Sequence, residues 1–470
     1  MMTIARNLAL GLGMSTADGT IPTNGTQPLV TFIWSGFYWL TAGDKIVTLK
    51  WIIVVQFLIA ALSAVLLWRL GRQIFRERAD GHTVTALAVA TWYASPVILP
   101  HSTNGLETGL YGLAVIGIAW LISQQNQWSW RFSALLGIML GVTFWIRNDA
   151  AFLIFAVCLT HLLRGGNWQR RELWQRFWQV MLIGTLSIVV ALPWLIFNKI
   201  IFGHIMPISG QAQALTAEFA HNLLTLPPVL VEYLLVILPI PNALQNQLPV
   251  VLGCTVILGI VAIALTRYSS RWHAPERQLF VLISIYLLGF CGFYGLYFGA
   301  SYFIARYFFP ISPFFALLWA AVVIGLWRAP WWQPVLRDGV VVLFIAIIIG
   351  LSARDYRRGY KHQHLQVVDW VKQNVADNEW VGATQSGTVG YFHDRTLNLD
   401  GKVNPEALEA RKQDQLIEYV LAKRVSYLAD WEGITSWLEK PLVQAHFELV
   451  VQDTAHHLGV LKRKTLPIPQ

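Results

Sequence analysis

The sequence predicts an α-helical polytopic membrane protein of about ten spans, followed by a small C-terminal soluble α/β domain. Three observations predict it. Of the 470 residues, 55% are hydrophobic and 13% charged, against about 25% charged in an ordinary soluble chain. The deficit is uneven, because long apolar runs alternate with short basic loops over the first three quarters. The last quarter then reads as soluble sequence. A helix needs about 20 mainly apolar residues to cross a bilayer, and the runs approach that length.

Residues 1–26 are polar and rich in Gly and Thr, too polar for the apolar core of a signal peptide. Residues 28–42 are apolar but short for a span, which fits an interfacial or re-entrant helix. Spans are expected over 47–69, 83–99, 107–123, 132–146, 150–163, 177–201, 248–266, 278–300, 307–327 and 335–351. The short ones tilt or bury partly in protein. Residues 228–240, bracketed by Pro227, Pro228, Pro239 and Pro241, form a second interfacial or re-entrant segment. For both such segments the plain alternative is a true span with a weak pattern. The organisation expected is an outer loop with an interfacial helix (1–46), a transmembrane helical domain (47–351) and a soluble domain (352–470).

Basic residues orient the spans. Arg69, Arg72, Arg76 and Arg78 follow the first span; Arg164, Arg170, Arg171 and Arg176 follow 150–163. Arg267, Arg271 and Arg277 follow 248–266, and Arg328 and Arg337 lie between the last two spans. With these loops cytoplasmic, ten spans alternate without contradiction. Residues 1–46, 100–106, 147–149, 202–247, 301–306 and the tail are then outside, in a multi-pass protein of the cell membrane. Arg354, Arg357, Arg358 and Lys361 point the other way for the tail and are outvoted by four concordant loops.

The tail carries helical spacing from His364 to Val375, a strand from Glu379 to Thr384 and a turn from Gly387 to Gly390. An amphipathic helix is expected from Leu408 to Leu428, and a closing strand pair over Phe447–Val451 and Leu458–Leu461.

Composition also excludes classes. The net charge of +9 sits in loops between apolar runs, so it is a topology signal and not a nucleic-acid footprint. The 22 Trp and 15 Tyr suit membrane interfaces. Cys158, Cys254 and Cys291 fall in apolar runs and make no disulfide framework. His101, His204 and His393 lack metal-ligand spacing, so no metal and no cofactor is expected.

Ionisable groups in or beside spans are costly, and so they are functional candidates. Glu107 opens the third span; Arg147 and Asp149 lie between two spans; Lys199 and His204 end another; Arg306 opens the ninth. In the expected topology all lie at outer helix ends, which suggests one polar cavity facing outward. Structural readings stand beside this one. Arg147 and Asp149 can be a local ion pair, Glu107 a helix cap, Arg306 a side chain snorkelling to headgroups. The chemistry that fits is group transfer from a lipid phosphate. Arg147 and Arg306 are candidates to meet the phosphate, and Glu107 and Asp149 to do proton work.

Several strings, in order, resemble the GT-C-type membrane glycosyltransferases. Arg6-Asn7-Leu8-Ala9 with Gly11 and Gly13, then Asn24-Gly25-Thr26, is similar to their first outer loop. Asn104 to Thr108 resembles a G-(M/L)-E-T element, and Arg147 to Asp149 an R-P-(D/E) element with Asn148 in place of proline. Phe202 to Pro207 resembles F-G-x-x-x-P, and Arg306 to Pro310 resembles R-Y-x-x-P. Gly387 to Phe392 with Asn398 to Gly401 is similar to the appended outer domain. The resemblance implies a GT-C-like bundle, a polyprenyl-phosphate-linked sugar donor, inversion at the anomeric carbon and an outward site. It implies a glycan, lipid or protein acceptor, a role in the cell envelope and contact with membrane lipids. Relatives transfer mannose, arabinose or aminoarabinose. Within this chain the residues themselves make Glu107 and Asp149 the catalytic candidates, with Arg147, His204 and Arg306 as the substrate-binding candidates.

One departure is notable. The family's catalytic Asp precedes the segment matching Arg6 to Ala9, and this chain starts at Met1. A first span carrying that Asp is expected upstream of Met1; the alternative is an inactive transferase-like protein. A polytopic transporter or lipid flippase is the competing class, but it favours repeated halves and mid-span charges, and neither is evident.

Overall fold

The computed structural model describes residues 1–164, 170–268, 273–300, 304–328 and 364–464, with scattered positions from 339 to 357. Apart from a short hairpin near the start, the described residues through 328 are mainly helical. Among the described residues, five helices are long and apolar enough to cross a membrane: Lys45–Ile74, Arg170–Phe202, Leu248–Arg267, Glu276–Leu296 and Ile304–Trp327. Shorter apolar helices are Thr108–Ser123, Trp130–Ile146, Ala150–Leu162 and Leu226–Leu235. The expected span over 83–99 is broken into Gly81–Tyr93 and Leu99–Ser102. Pro96 lies in the break, where it has no N–H for a helical bond. The expected span over 335–351 lies largely outside the described residues.

The chain divides into two compact units. One comprises Met1–Thr48, Leu195–Thr216 and Arg358–Gln470; the other comprises Leu49–Trp194 and Ala217–Arg357.

The helical unit is Leu49–Trp194 with Ala217–Arg357. Ser312–Trp327 packs on Gly81–Tyr93, and Ala274–Leu296 packs on Ala150–Leu162 and Thr108–Ser123. Trp92, Tyr286, Phe290, Phe308 and Phe309 are fully buried in it. In a bilayer, helix association rests on close packing and hydrogen bonds. Gly137 and Gly141, four apart on Trp130–Ile146, supply the first. A Cβ on Gly141 would lie 2.5 Å from Val190 Cβ, and one on Gly137 would lie 2.9 Å from the Ile183 carbonyl oxygen. Ser187 Oγ supplies the second, 3.0 Å from the Gly137 carbonyl. In the turn before Gly81–Tyr93, Arg78 holds Asp80 through Nε at 2.9 Å and Nη2 at 3.1 Å. This pair keeps the Asp80 carboxyl below the usual range.

The mixed unit carries a five-stranded sheet of order β4-β3-β5-β7-β6, built from β3 (Val381–Ala383), β4 (Thr396–Asn398), β5 (Tyr427–Asp430), β6 (Phe447–Asp453) and β7 (Leu458–Arg463). β3 pairs parallel with β4 and β5, while β7 pairs antiparallel with β5 and β6. The closing strand pair is as expected. Two expectations fail. Residues 387–390 are no turn but part of helix Ser386–Phe392, whose Val389 and Tyr391 are buried; packing overrides the weak helix propensity of two glycines. Residues 408–428 are two helices, Pro405–Lys412 and Leu416–Ala422, then β5. Asp414 and Arg424 adopt positive φ, which ends each helix.

The same unit takes in the N-terminal residues. A hairpin of β1 (Ser15–Thr16) and β2 (Ile21–Pro22) places Ala17 and Ile21 in one core with Leu397, Leu399, Val425 and Leu428. Tyr38, on helix Pro28–Leu40, hydrogen-bonds the Tyr391 hydroxyl at 2.8 Å, and Tyr391 donates to the Lys45 carbonyl at 2.6 Å.

Candidate functional site

The helical unit gathers Glu107, Arg147, Asp149 and Arg306. Each arrives by a distinct local device. Gly105, at φ +77°, makes a turn that other residues rarely adopt. Gln56, inside helix Lys45–Ile74, clamps that turn: the Gly105 N–H donates to Gln56 Oε1 at 2.8 Å, and Gln56 Nε2 donates to the Leu106 carbonyl at 3.1 Å. Glu107 is thereby set at the N-cap of Thr108–Ser123, only 3% exposed.

Arg147 leaves helix Trp130–Ile146 in extended backbone, and Asp149 is the N-cap of Ala150–Leu162. The local ion pair foreseen as the structural reading exists: Arg147 Nη2 meets Asp149 Oδ2. It does more than cap, since neither helix takes a hydrogen bond from these side chains. Arg147 is 1% exposed, with its guanidinium 4.8 Å from the Tyr111 ring centre and 5.0 Å from that of Tyr307. Cation–π contact of this kind strengthens where water is absent. The Tyr294 hydroxyl donates to Asp149 Oδ2 at 2.5 Å. Among the described residues, Arg147 Nη1 and Asp149 Oδ1 are buried without a partner. Orphaned polar atoms on a buried ion pair are rare and costly, and they mark a place where a polar ligand completes the site.

Arg306 lies on the short helix Ile304–Phe308, which Pro310 turns into a 3-10 turn before Ser312–Trp327. Its Nη2 is 3.2 Å from the Tyr307 hydroxyl, and Tyr307 stacks on Tyr294 with ring centres 4.5 Å apart. The Glu107 charge acts on both Arg147 and Arg306. Two cations and two carboxylates thus lie in one cluster, with Tyr111, Tyr294 and Tyr307 against Arg147, Asp149 and Arg306.

Lys199 and His204 belong to the mixed unit. Lys199 Nζ donates to the Gly203 carbonyl at 2.9 Å, and His204 is exposed in the turn that follows. In that unit Asn24 Nδ2 donates to Asn198 Oδ1 at 3.0 Å, Asn198 donates to the Ile205 carbonyl, and the Ile208 N–H donates to Asn24 Oδ1. Two of the family-like strings, at 24–26 and 202–207, are therefore tied together. Asp394, also in that unit, pairs with Lys45 at 2.9 Å and Arg6 at 3.3 Å.

Sequence reasoning from charge missed Gln56, Tyr111 and Tyr294. The signal available was a neutral polar group inside an apolar run. Among the described residues no three His, Cys, Asp or Glu side chains gather to hold a metal.

Residues 26–197 match the dolichyl-phosphate-mannose-protein mannosyltransferase family, and residues 354–464 match a domain family of unknown function. No curated protein matches the sequence. Among solved structures, ArnT from Cupriavidus metallidurans bound to undecaprenyl phosphate aligns over 100% of this chain and 94% of its own, at 12% identity and TM-score 0.56. The archaeal oligosaccharyltransferase AglB from Archaeoglobus fulgidus, in complex with an inhibitory peptide and a dolichol-phosphate, aligns over 100% and 70%, at 12% identity and TM-score 0.50. The apo form of the Archaeoglobus fulgidus oligosaccharyltransferase aligns over 95% and 68%, at 13% identity and TM-score 0.52. The chain is thus a polytopic membrane protein with the GT-C glycosyltransferase fold, as its ordered motifs suggested.

Proposed function

We propose that this protein is an integral membrane glycosyltransferase that moves a sugar from a polyprenyl-phosphate donor to an acceptor on the outer face of the membrane. The observation that carries the reading is the buried Arg147–Asp149 pair with an unpartnered atom on each partner, beside Arg306 and Glu107. The match of residues 26–197 to a mannosyltransferase family supports the reaction class. Two solved relatives of the same fold carry undecaprenyl phosphate and a dolichol-phosphate, which supports a lipid-phosphate donor.

In this reading Glu107 takes the proton from the acceptor hydroxyl. The acceptor oxygen bonds to the anomeric carbon with inversion, and the bond from that carbon to the phosphate oxygen breaks. The departing lipid phosphate keeps the electron pair, and its charge is met by Arg147 and Arg306. Asp149 orients Arg147 with one oxygen and offers the other to the sugar or acceptor. The placement of that unit outside is supported by its composition: the tail folds together with residues 1–48 and 195–216, most of which charge distribution assigns outside.

The test is transfer by the purified protein, expressed with any in-frame codons upstream of Met1, from labelled polyprenyl-phosphate mannose, arabinose or aminoarabinose. Acceptor-dependent release of lipid phosphate is expected. A folded protein that releases none from any donor, yet moves labelled lipid between leaflets, is a flippase instead. For sidedness, a cysteine introduced at the exposed position 104 reacts with an impermeant reagent in intact cells. Reaction only after lysis reverses the orientation.

A further inference from the structure

The helical unit holds a second polar site at its other end. Helix Ala150–Leu162 begins beside Asp149 and ends at His161, about 18 Å further along its axis. There a cavity of about 800 Å³ opens among four elements: the 126–128 loop, the end of Ala150–Leu162, and the first turns of Arg170–Phe202 and Ala274–Leu296. This is the end of the bundle that carries the arginine-rich loops.

The cavity is cationic. Arg164, Arg176 and Arg277 line it against one carboxylate, Glu172, which Arg176 already holds at 2.9 Å. Arg176 donates to the Arg164 carbonyl, and Arg164 Nη2 donates to the Gln125 carbonyl at 2.6 Å and the Asn126 carbonyl at 2.5 Å. The cavity wall is also built, not merely charged. His161 stacks flat on Trp128 with ring centres 3.9 Å apart. Gln179 locks both: its Nε2 donates to the Trp128 carbonyl at 2.7 Å, so its Oε1 accepts from His161 Nε2 at 2.8 Å. That arrangement turns His161 Nδ1 away from any protein partner. Among the described residues, five buried polar atoms without a partner belong to residues that line the cavity: Trp128 Nε1, Thr160 Oγ1, His161 Nδ1, Arg164 Nη1 and Gln278 Nε2. Trp128, His161 and Gln278 are 5%, 3% and 8% exposed. Three of these atoms are obligate donors. Unpartnered buried donors in the wall of one cavity, under a net positive charge, call for an anion with several acceptor oxygens.

We propose that this cavity binds a phosphate group. The depth favours a phosphate carried by a lipid. Trp174, Phe177 and Trp178 are exposed on the same turns of Arg170–Phe202 and pack on one another, as aromatic side chains do at the membrane–water boundary. A free phosphate would meet the same donors. The site is distinct from the Arg147–Asp149 cluster and does not depend on the reading of that cluster as catalytic.

The experiment uses the whole protein in nanodiscs of phosphatidylcholine, of phosphatidylcholine with phosphatidic acid, and of phosphatidylcholine with inorganic phosphate in the buffer. Retained lipid is read by native mass spectrometry, and the unfolding midpoint reports binding in every arm. Retention of phosphatidic acid with a raised midpoint supports a lipid phosphate; a raised midpoint with inorganic phosphate alone supports a free one. Arg277→Gln, at an exposed position, weakens either effect about tenfold by removing one charge-assisted contact. Arg171→Gln, exposed on the same helix as Arg176 but outside the cavity, leaves it unchanged. Equal losses in the two variants reduce the effect to surface charge and overturn the proposal. So does a wild-type midpoint that neither phosphate source moves.

Discussion

Asp149 Oδ2 takes hydrogen bonds from two partners, the Tyr294 hydroxyl at 2.5 Å and Arg147 Nη2. Tyr294 therefore steers the carboxylate that steers the arginine. Tyr294→Phe keeps the ring stack on Tyr307 and removes only the donor. Turnover in the transfer assay is expected to fall about tenfold, the worth of one hydrogen bond to a charged group, with membrane expression unchanged. Unaltered turnover removes Tyr294 from the site.

Glu107→Gln and Arg306→Ala test the proposed proton acceptor and phosphate contact. Both are expected to lower turnover by about 100-fold or more, the usual scale for removing a general base or a charge-stabilising donor. Protein yield in the membrane stays at the wild-type level. Full activity in both variants excludes these residues from the chemistry.

Gln56→Leu leaves the Gly105 N–H and the Leu106 carbonyl without the clamp. Glu107 then loses its fixed position, and turnover is expected to fall about tenfold while the protein remains folded. A steady-state comparison with Glu107→Gln and with the double variant separates the roles. Loss in the double variant no greater than in Glu107→Gln alone places Gln56 behind Glu107.

Gly141→Val introduces a side chain against Val190. Overpacking of this kind costs about 1–3 kcal/mol, and a lower unfolding midpoint in detergent measures it. Gly259→Val is the control, since no atom lies within 4 Å of a Cβ there. Equal midpoints for the two variants refute the close packing of Trp130–Ile146 on Arg170–Phe202.

Asp80 gives a pH dependence. Its carboxyl titrates lower in the folded protein because Arg78 holds the ionised form. The resulting stabilisation is present above the ordinary carboxylate range and is lost as pH falls through the depressed value. The difference in unfolding midpoint between wild type and Asp80→Asn is expected to shrink as the pH falls below about 4. A difference independent of pH shows that the pair contributes nothing.

The sequence made the helical bundle visible because lipid demands long apolar runs, and Lys45–Ile74 and Leu248–Tyr268 follow those runs within a few residues. It made Glu107, Arg147, Asp149 and Arg306 visible because charge near a span is costly. Tyr294, Tyr111 and Gln56 stayed hidden, since a neutral polar side chain raises no such alarm and its partner is 50 or more residues away. The tail was misread where non-glycine residues take positive φ, at Asp414 and Arg424, a choice that tertiary contacts make. The union of the first 48 residues with the sheet was also out of reach, because no local pattern encodes a contact across more than 370 positions such as Thr16 with Val403.

That union governs the order in which the protein matures. The hairpin bearing Ala17 and Ile21 is synthesised some 380 residues before Leu397, Leu399 and Leu428, with which it shares a core. Closing so large a loop is entropically slow. The early segment must wait, apolar side chains uncovered, while the helices between are inserted. Assembly of this unit is consequently a late event in biogenesis, and a chaperone that shields residues 15–22 in the interval would raise the yield of native protein.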